Sequence, residues 1–545
     1  MSVRTPSLSA PTLRVPAPTT TRPPVVPGSP LTVPGTAADG YDGTVDRPFE
    51  VFFTPHEDAY GYEARCIDEV IAARRADSTV YPSGESPYRI QYMVFNLRND
   101  DIVQKLFEAV EAGVEVQVLV ESDQIRDDRP WNKVDDWFEA RGLTVLRSDK
   151  DVDAATLRGA HLVGIDKRSL MHMKSRIFHW KDPDSGESRQ KVLSGSLNPG
   201  GAPVTNEENV NIMTDAAMVR RYETRFFEVR DHAQATNVWD DSQPVNVLFT
   251  PHRQGSTSPV DKLFEWIDKE QELILVSVFE LHNLRARGQA ETLVDKLKKA
   301  KERGVTVLAI TDRRKSDGVD ERGQPVMAYG RPAGDDPTDE LLEAAGIRTF
   351  ELCNTANPFS AVHGKSVLFG LKDMKVLTGA GNWTVAAMGS DKKTPSNDES
   401  FIFVDSKRVD DNYTGRAYLA NFLHLLRKYD DQYTEQAEDL VHTLQALPGW
   451  PRVNLDLSAL GRAFPGREVY LVADHPEVAA RTPAGAPGIP INTSPSGSSP
   501  PFRPQDPVSL PFGSQLNYRL AVRDPATGAL NMVPGDQVLV VDTHS

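Results

Sequence analysis

Two short stretches carry the side chains best suited to chemistry. The first is His172-Met173-Lys174, followed by Lys191-Val192-Leu193-Ser194-Gly195-Ser196-Leu197-Asn198 and then Asn206-Glu207-Glu208. The second is His363-Gly364-Lys365, followed by Lys375-Val376-Leu377-Thr378-Gly379-Ala380-Gly381-Asn382 and then Asn397-Asp398-Glu399. An imidazole can attack an electrophile or carry a proton, and ammonium and amide groups can hold an anion. With 12 histidines and 61 basic residues in 545, about one His-x-basic pair arises by chance. Two such pairs with the same sequel are a different matter: the step from histidine to glutamate is 36 residues in both, His172 to Glu208 and His363 to Glu399.

The elements that position these residues are repeated too. Phe49-Glu50-Val51-Phe52-Phe53 runs into Thr54-Pro55-His56, and Val245-Asn246-Val247-Leu248-Phe249 runs into Thr250-Pro251-His252, an offset of 196. Each phrase is followed by an amphipathic helix and an apolar strand, Tyr88 to Leu97 first and Leu273 to Phe279 second. Next, a helix ends at Gly113 or Gly304 and enters a β-branched strand, Glu115 to Val120 or Thr306 to Ile310. A further helix–glycine–strand step is expected over Val134 to Leu146 and over Leu341 to Leu352. Strands alternating with helices make an α/β sheet with helices on its faces, so the pattern predicts two related lobes of this kind. The first is expected to end in the helix after Asp215, and the second in the helix from Asp410 to Tyr429.

This constellation resembles the phospholipase D superfamily, whose lobes each carry His-x-Lys, a Gly-Ser-x-Asn strand end and a later acidic residue. The resemblance covers Phe49 to Tyr429. It implies two pseudo-twofold-related lobes with mixed sheets flanked by helices, sharing one active site for phosphodiesters. One imidazole would attack phosphorus and form a phosphohistidine. The other would protonate the leaving oxygen and later activate water. We assign His172 to the first role and His363 to the second. Lys174, Lys365, Asn198 and Asn382 would hold the non-bridging oxygens, in place of a metal, while Glu208 and Glu399 would orient the imidazoles. No cofactor and no metal is expected. The chain departs from the family pattern five residues after each lysine, where an aspartate is usual: His179 and Gly370 stand there. Tyrosyl-DNA phosphodiesterases of the same superfamily also lack it, so the departure bears on substrate rather than on the reaction. Asp182 is the nearest later carboxylate in the first lobe and is not expected to replace it.

Composition bounds the partners. The 61 basic against 77 acidic residues give a net charge of −16, which disfavours broad attraction to nucleic acid. Phospholipid head groups are therefore the leading substrate class, with peripheral membrane contact, and nucleic-acid cleavage is the alternative. A catalytically silent binding protein is a third reading, from a different class. No apolar run reaches the roughly 18 residues of a membrane span, and Met1-Ser2-Val3-Arg4-Thr5-Pro6 does not open like a secretory signal. Cys66 and Cys353 are too few for a disulfide framework or a cysteine zinc cage. A cytoplasmic location is expected, or export without a standard signal.

The expected organisation is a Pro-rich tail over 1–46, a first lobe over 47–235, a second over 236–430, a helical linker over 431–452 and a β-sandwich over 453–545. The last segment resembles a starch-binding module through Val469 to Glu477, Val508 to Gly513, Asn517 to Leu520 and Gly535 to Val540. From Val453 onward it has no tryptophan, and Asn531 stands where the resemblance would place one, so glycan binding is not expected. Tyr470, Phe502, Phe512 and Tyr518 are expected to face its core. His56 and His252 are expected in strand–helix turns, Arg313-Arg314-Lys315 in a solvated loop, and Trp131 and Trp137 in packing. Trp383, beside Asn382, either walls the site or fills the core.

Overall fold

The computed structural model describes residues 48–541, except 83, 127–131, 201–204, 321, 329–330, 333–335, 358–359, 391–393, 434–435, 455–467, 483–485, 493–507, 525 and 534–536. The Pro-rich tail, Trp131, Phe502 and most of the second proline-rich stretch lie outside them.

The first lobe is built on strands β1 (Phe49–Thr54), β2 (Arg89–Val94), β3 (Glu115–Glu121), β4 (Val145–Leu146), β5 (Leu162–Ile165), β6 (Lys174–Lys181), β7 (Ser188–Gly195) and β8 (Glu208–Met213). They form one mixed sheet in the order β1-β8-β7-β6-β2-β3-β5-β4, parallel between β2, β3, β5 and β4 and antiparallel elsewhere. The second lobe has β9 (Val245–Thr250), β10 (Leu273–Val278) and β11 (Thr306–Asp312), and a two-residue ribbon of β12 (Met327–Ala328) and β13 (Arg331–Pro332). It continues with β14 (Arg348–Leu352), β15 (Lys365–Phe369), β16 (Lys375–Gly379) and β17 (Glu399–Asp405). Its order, β9-β17-β16-β15-β10-β11-β14, repeats that of the first lobe, except that β14 alone stands beyond β11 where the first lobe has β5 and β4 beyond β3. The duplication read from the phrases is thus a duplication of topology.

Local chemistry explains the repeat. Asn99 caps the helix Asp100–Glu111 through the Ile102 N–H, and Thr292 with Asp295 forms a capping box for Leu293–Glu302. Both helices are followed by a glycine in the left-handed region, Gly113 at φ +82° and Gly304 at φ +95°, where a side chain would be strained. The chain then turns directly into β3 or β11.

One expected step differs between the lobes. In the second, the helix Thr338–Ala344 delivers β14, which pairs with β11. In the first, the equivalent strand β4 is only two residues long and lies at the sheet edge. An additional helix, Ala154–Gly159, delivers β5 into the place beside β3.

Each sheet has one face covered by its own helices. Phe107, Phe138 and Val70 belong to the outer core of the first lobe, and Phe264, Leu297 and Leu342 to that of the second. Between the sheets lies a shared core that includes Phe49, Ile177, Tyr222, Phe249, Val376, Ile402 and Tyr418. The helices Ala216–Arg230 and Tyr413–Lys428, which close the lobes, both contribute to it.

The helix Ala437–Gln445, in the stretch read as a linker, is packed rather than free: Leu440, Val441 and Leu444 enter the shared core, as do Trp450 and Phe512. The remaining strands are β18 (Arg452–Asn454), β19 (Val469–Ala473), β20 (Ile489–Asn492), β21 (Ser509–Pro511), β22 (Gln515–Arg523), β23 (Leu530–Met532) and β24 (Gln537–Val540). They form two antiparallel sheets, β18-β21 and a five-stranded sheet centred on β22. Tyr470, Phe512 and Tyr518 are buried, but only Tyr518 lies in the core of these strands, and Phe512 is packed in the shared core of the lobes instead.

Candidate active site

Both histidines stand two residues ahead of a central strand, β6 or β15, whose first residue is the lysine. The approach to each strand is pinned by matched backbone bonds. The N–H of His172 donates to the carbonyl of Asp398 at 3.0 Å, and that of His363 to the carbonyl of Glu207 at 2.9 Å. The preceding residues donate to buried carboxylates at the ends of β3 and β11, each one strand removed in its sheet: Met171 N–H to Glu121 at 2.5 Å and Val362 N–H to Asp312 at 2.9 Å. Burial pushes the Glu121 carboxyl up to about 7 and the Asp312 carboxyl up to about 6.

The side chains pair across the lobes. Nδ1 of His172 lies 2.8 and 2.9 Å from the two carboxylate oxygens of Glu399. Nδ1 of His363 lies 2.9 and 2.8 Å from those of Glu208. Each glutamate also accepts from an asparagine two residues earlier, Asn206 to Glu208 at 3.2 Å and Asn397 to Glu399 at 3.3 Å. With Nδ1–H given to a carboxylate, the Nε2 lone pair of each ring is the reactive one. Phe95 and Phe279 hold the rings edge-on, with centroids 5.1 Å from His172 and 4.5 Å from His363.

Lys174 and Lys365 are fully buried. Lys174 donates to the carbonyl of His172 at 2.9 Å and reaches its Nε2 at 3.1 Å, and Lys365 donates to the carbonyl of His363 at 2.5 Å. Each ammonium feels both Glu208 and Glu399, so the four side chains of the two His-x-Lys motifs and both glutamates make up one electrostatic centre. Burial lowers the Lys174 ammonium to about 8 and Lys365 to about 7. Burial also holds His172 below the ordinary imidazole value and His363 at about 4, so both rings are neutral at pH 7. For Glu208, burial opposes ionisation, but His363 and Lys365 outweigh it and keep the carboxyl below its usual range.

The strands β7 and β16 bring in the asparagines. Each ends in a glycine on which a side chain would strike the neighbouring strand: a Cβ on Gly195 would lie 2.2 Å from the carbonyl of Asn209, and one on Gly379 would lie 2.1 Å from that of Ser400. The close approach is what lets the chain turn toward the site. The side-chain oxygens of Asn198 and Asn382 are buried without a hydrogen-bond partner, and Asn382 Nδ2 donates to Glu280 at 3.0 Å. All eight sequence-derived residues therefore occupy matched places in the two lobes, six of them on strands or strand approaches and the two asparagines three residues beyond β7 and β16.

The positions of the missing aspartates lie elsewhere. His179 is five residues along β6, about 17 Å from Lys174 in an extended strand, and faces Glu223 at 3.7 Å. Gly370 makes the left-handed turn after β15, at φ +75°. Asp182 accepts from Ser185 in the β6–β7 turn.

The basic run differs from its reading as a solvated loop. Asp312 caps a short helix, Arg313–Ser316, through Arg314 N–H at 3.1 Å, and this turns the run inward. Arg314 then donates to the carbonyls of Ser360 and Asn354, and Lys315 lies 5.1 Å over the Phe279 ring. Trp383 fills the core of the second lobe and does not wall the site. Trp137 packs on the first-lobe core.

Phe95, Phe279, Glu121, Asp312 and Glu280 are absent from the sequence-derived set. The signal was present for the first four: Phe95 and Phe279 directly follow the matched strands β2 and β10, and Glu121 and Asp312 end β3 and β11. Among the described residues, two groups have donors spaced for a metal, His56-Glu207-His424 and Asp317-Asp339-Glu351; neither includes a histidine of this centre.

The sequence model of the cardiolipin synthase, PLD-like domain matches residues 263–417, the stretch holding His363, Lys365, Asn382 and Glu399. No curated protein matches the chain. Among solved structures, polyphosphate kinase from Porphyromonas gingivalis is similar, at 14% identity over 73% of this chain, with a TM-score of 0.43. The chain spans about half of that protein, 52% of its length. The phospholipase D family member Nuc from Salmonella typhimurium aligns at 18% identity over 33% of this chain and 92% of its own, with a TM-score of 0.24. A point mutant of yeast tyrosyl-DNA phosphodiesterase aligns at 11% identity over 66% of this chain and 91% of its own, with a TM-score of 0.37.

Proposed function

We propose that this chain is a metal-independent phosphodiesterase that works through a phosphohistidine on His172. The observation that carries the reading is the pair of crossed His–Glu contacts, 2.8 Å at their shortest, set around two buried ammonium groups. Neutral imidazoles with oriented lone pairs suit nucleophilic attack, and buried cations suit a phosphate whose charge is shared over its oxygens. Nε2 of His172 attacks phosphorus, the bond from phosphorus to the leaving oxygen breaks, and His363 gives that oxygen a proton. His363 then takes a proton from water, the water oxygen attacks phosphorus, and the P–N bond breaks to release His172. A bound phosphodiester adds negative charge beside His363, which favours the imidazolium it needs as an acid.

Phospholipid head groups are the substrate class we favour, with water or an alcohol as acceptor. The match to a cardiolipin synthase domain and the net charge of −16 support it. Nucleic-acid cleavage is the second reading, favoured by the absent aspartates at positions 179 and 370. Purified protein assayed on phosphatidylcholine vesicles, cardiolipin vesicles and single-stranded DNA separates the two. Head-group release alone supports the first, and DNA cleavage alone the second. Inertness on all three, with no phosphoenzyme formed, rejects the enzymatic reading.

A further inference from the structure

We infer that His56, Glu207 and His424 form a divalent-metal site of the zinc type, separate from the phosphodiester centre, that ties the last helix of the second lobe to the first lobe. His56 lies in the turn after β1, Glu207 immediately before β8, and His424 in the helix Tyr413–Lys428. One donor atom from each comes within 4.8 Å of the others. Donor atoms around a tetrahedral zinc are about 3.4 Å apart, given metal–ligand bonds near 2.0–2.1 Å, so small side-chain rotations close the group.

Two buried atoms ask for a partner at this place. Glu207 is 3% exposed; its Oε1 receives Lys428 and, at 3.0 Å, the Tyr429 hydroxyl, while its Oε2 has no hydrogen-bond partner. Nε2 of His424 is likewise buried without one. Unpartnered buried groups of this kind are uncommon and call for a specific explanation, an ion among them.

The duplication supplies an internal control. Asp398 is the counterpart of Glu207, and each of its oxygens has a cation at 2.6 Å, Arg225 on one and Lys167 on the other. Glu207 has one cation, Lys428, and two imidazoles where the second would be. With Tyr222 matched to Tyr418, the counterpart of His424 is Glu228, itself paired with Arg225 at 3.3 Å. Where one half uses a guanidinium, the other half presents two nitrogen ligands and a free carboxylate oxygen. A metal ion completes the missing charge.

Two imidazoles and a carboxylate select zinc, cobalt or nickel over the harder calcium and magnesium. Lys428 and Tyr429 fix the carboxylate from behind, as outer-shell partners of metal ligands do. His56 is at the surface, which gives the ion a way in. Because the carbonyl of Glu207 receives the His363 N–H, an ion here also steadies the backbone that carries one of the proposed catalytic rings.

The test uses the full chain, stripped with a chelator, desalted and titrated with zinc chloride and, separately, cobalt chloride. Wild type and His252→Ala, altered at the matching turn of the other lobe, should each hold one zinc and show visible cobalt absorption bands. His56→Ala and His424→Gln should bind zinc at least tenfold more weakly and lose those bands. His56 is exposed, so its alanine variant decides the matter even if His424→Gln does not fold. Failure of wild type to take up stoichiometric zinc, or wild-type affinity in His56→Ala, overturns the site.

Discussion

Nδ1 of His172 lies 2.8 Å from Oε1 of Glu399, although one residue belongs to the first lobe and the other to the second. The reciprocal contact joins His363 to Glu208. The 36-residue spacing inside each lobe therefore links residues that do not serve each other. Each carboxylate fixes the tautomer of the ring opposite, and neither lobe alone holds an oriented histidine.

The crossing makes a specific prediction for the glutamates. Glu399→Gln should slow labelling of His172 by the same factor as turnover, as if the first lobe had been altered. Turnover should fall by roughly 10²–10⁴-fold, because the ring loses its orienting carboxylate. Labelling of His172 at the normal rate in this variant would contradict the pairing.

The histidines should separate by leaving group. His172→Ala should form no phosphoenzyme with any substrate. His363→Ala should slow ordinary substrates by about 10²–10⁴-fold, yet still be phosphorylated by a p-nitrophenyl ester, whose leaving group needs no proton. Mass spectrometry of the acid-labile adduct after rapid mixing reads this directly. Label on His363 reverses the roles, and full activity in the double alanine variant rejects the mechanism.

The lysines set the alkaline limb. With Lys365 lowered to about 7 and Lys174 to about 8, the charge that holds phosphate is present at low pH and is lost as pH rises through those values. For the free enzyme, log kcat/KM should fall above pH 7 with a slope of about −1 for each lysine required in its charged form. Lys365→Arg keeps its charge, so the limb should begin near pH 8 instead. An unchanged profile would assign the limb to another group.

Much of this site is legible in the sequence because it is written twice. The His-x-Lys pairs, the asparagines after β7 and β16 and the two glutamates recur at matched positions, and so does the order of strands. What the sequence does not show is what depends on how the lobes meet. The exchange of Glu208 and Glu399 is invisible because spacing within a lobe is unchanged by it. The inward turn of Arg313-Arg314-Lys315 depends on the Asp312 cap, and the place of β5 on an additional helix, Ala154–Gly159, without a counterpart among the described residues of the second lobe. The cluster of His56, Glu207 and His424 joins positions 151 and 217 residues apart in sequence, beyond any local spacing rule.

Turnover should survive chelation, because Lys174 and Lys365 already supply positive charge at the phosphate. EDTA should lower the melting temperature through loss of the ion at His56, while turnover persists below that temperature. Loss of turnover in EDTA, restored by added divalent ion, would place a metal in the chemistry itself.

The carboxy-terminal sheets should not hold starch. Tyr470, Phe512 and Tyr518 are buried, so none offers an exposed ring for stacking. Chromatography of the whole protein on amylose should show no retardation, and tight retention would contradict the assignment.

The core between the sheets has a consequence for stability. It draws on β1, β6 and β7 of one lobe, on β9, β16 and β17 of the other, on both closing helices and on Trp450 and Phe512 beyond them. Chains of this size ordinarily melt domain by domain. Here the first lobe cannot open without baring the wall of the second, so calorimetry should record one transition spanning both, with no plateau between them. A cavity cut at Tyr222 or Phe249 would then lower the melting point of the lobes together rather than of one, and each lobe protects its partner from unfolding.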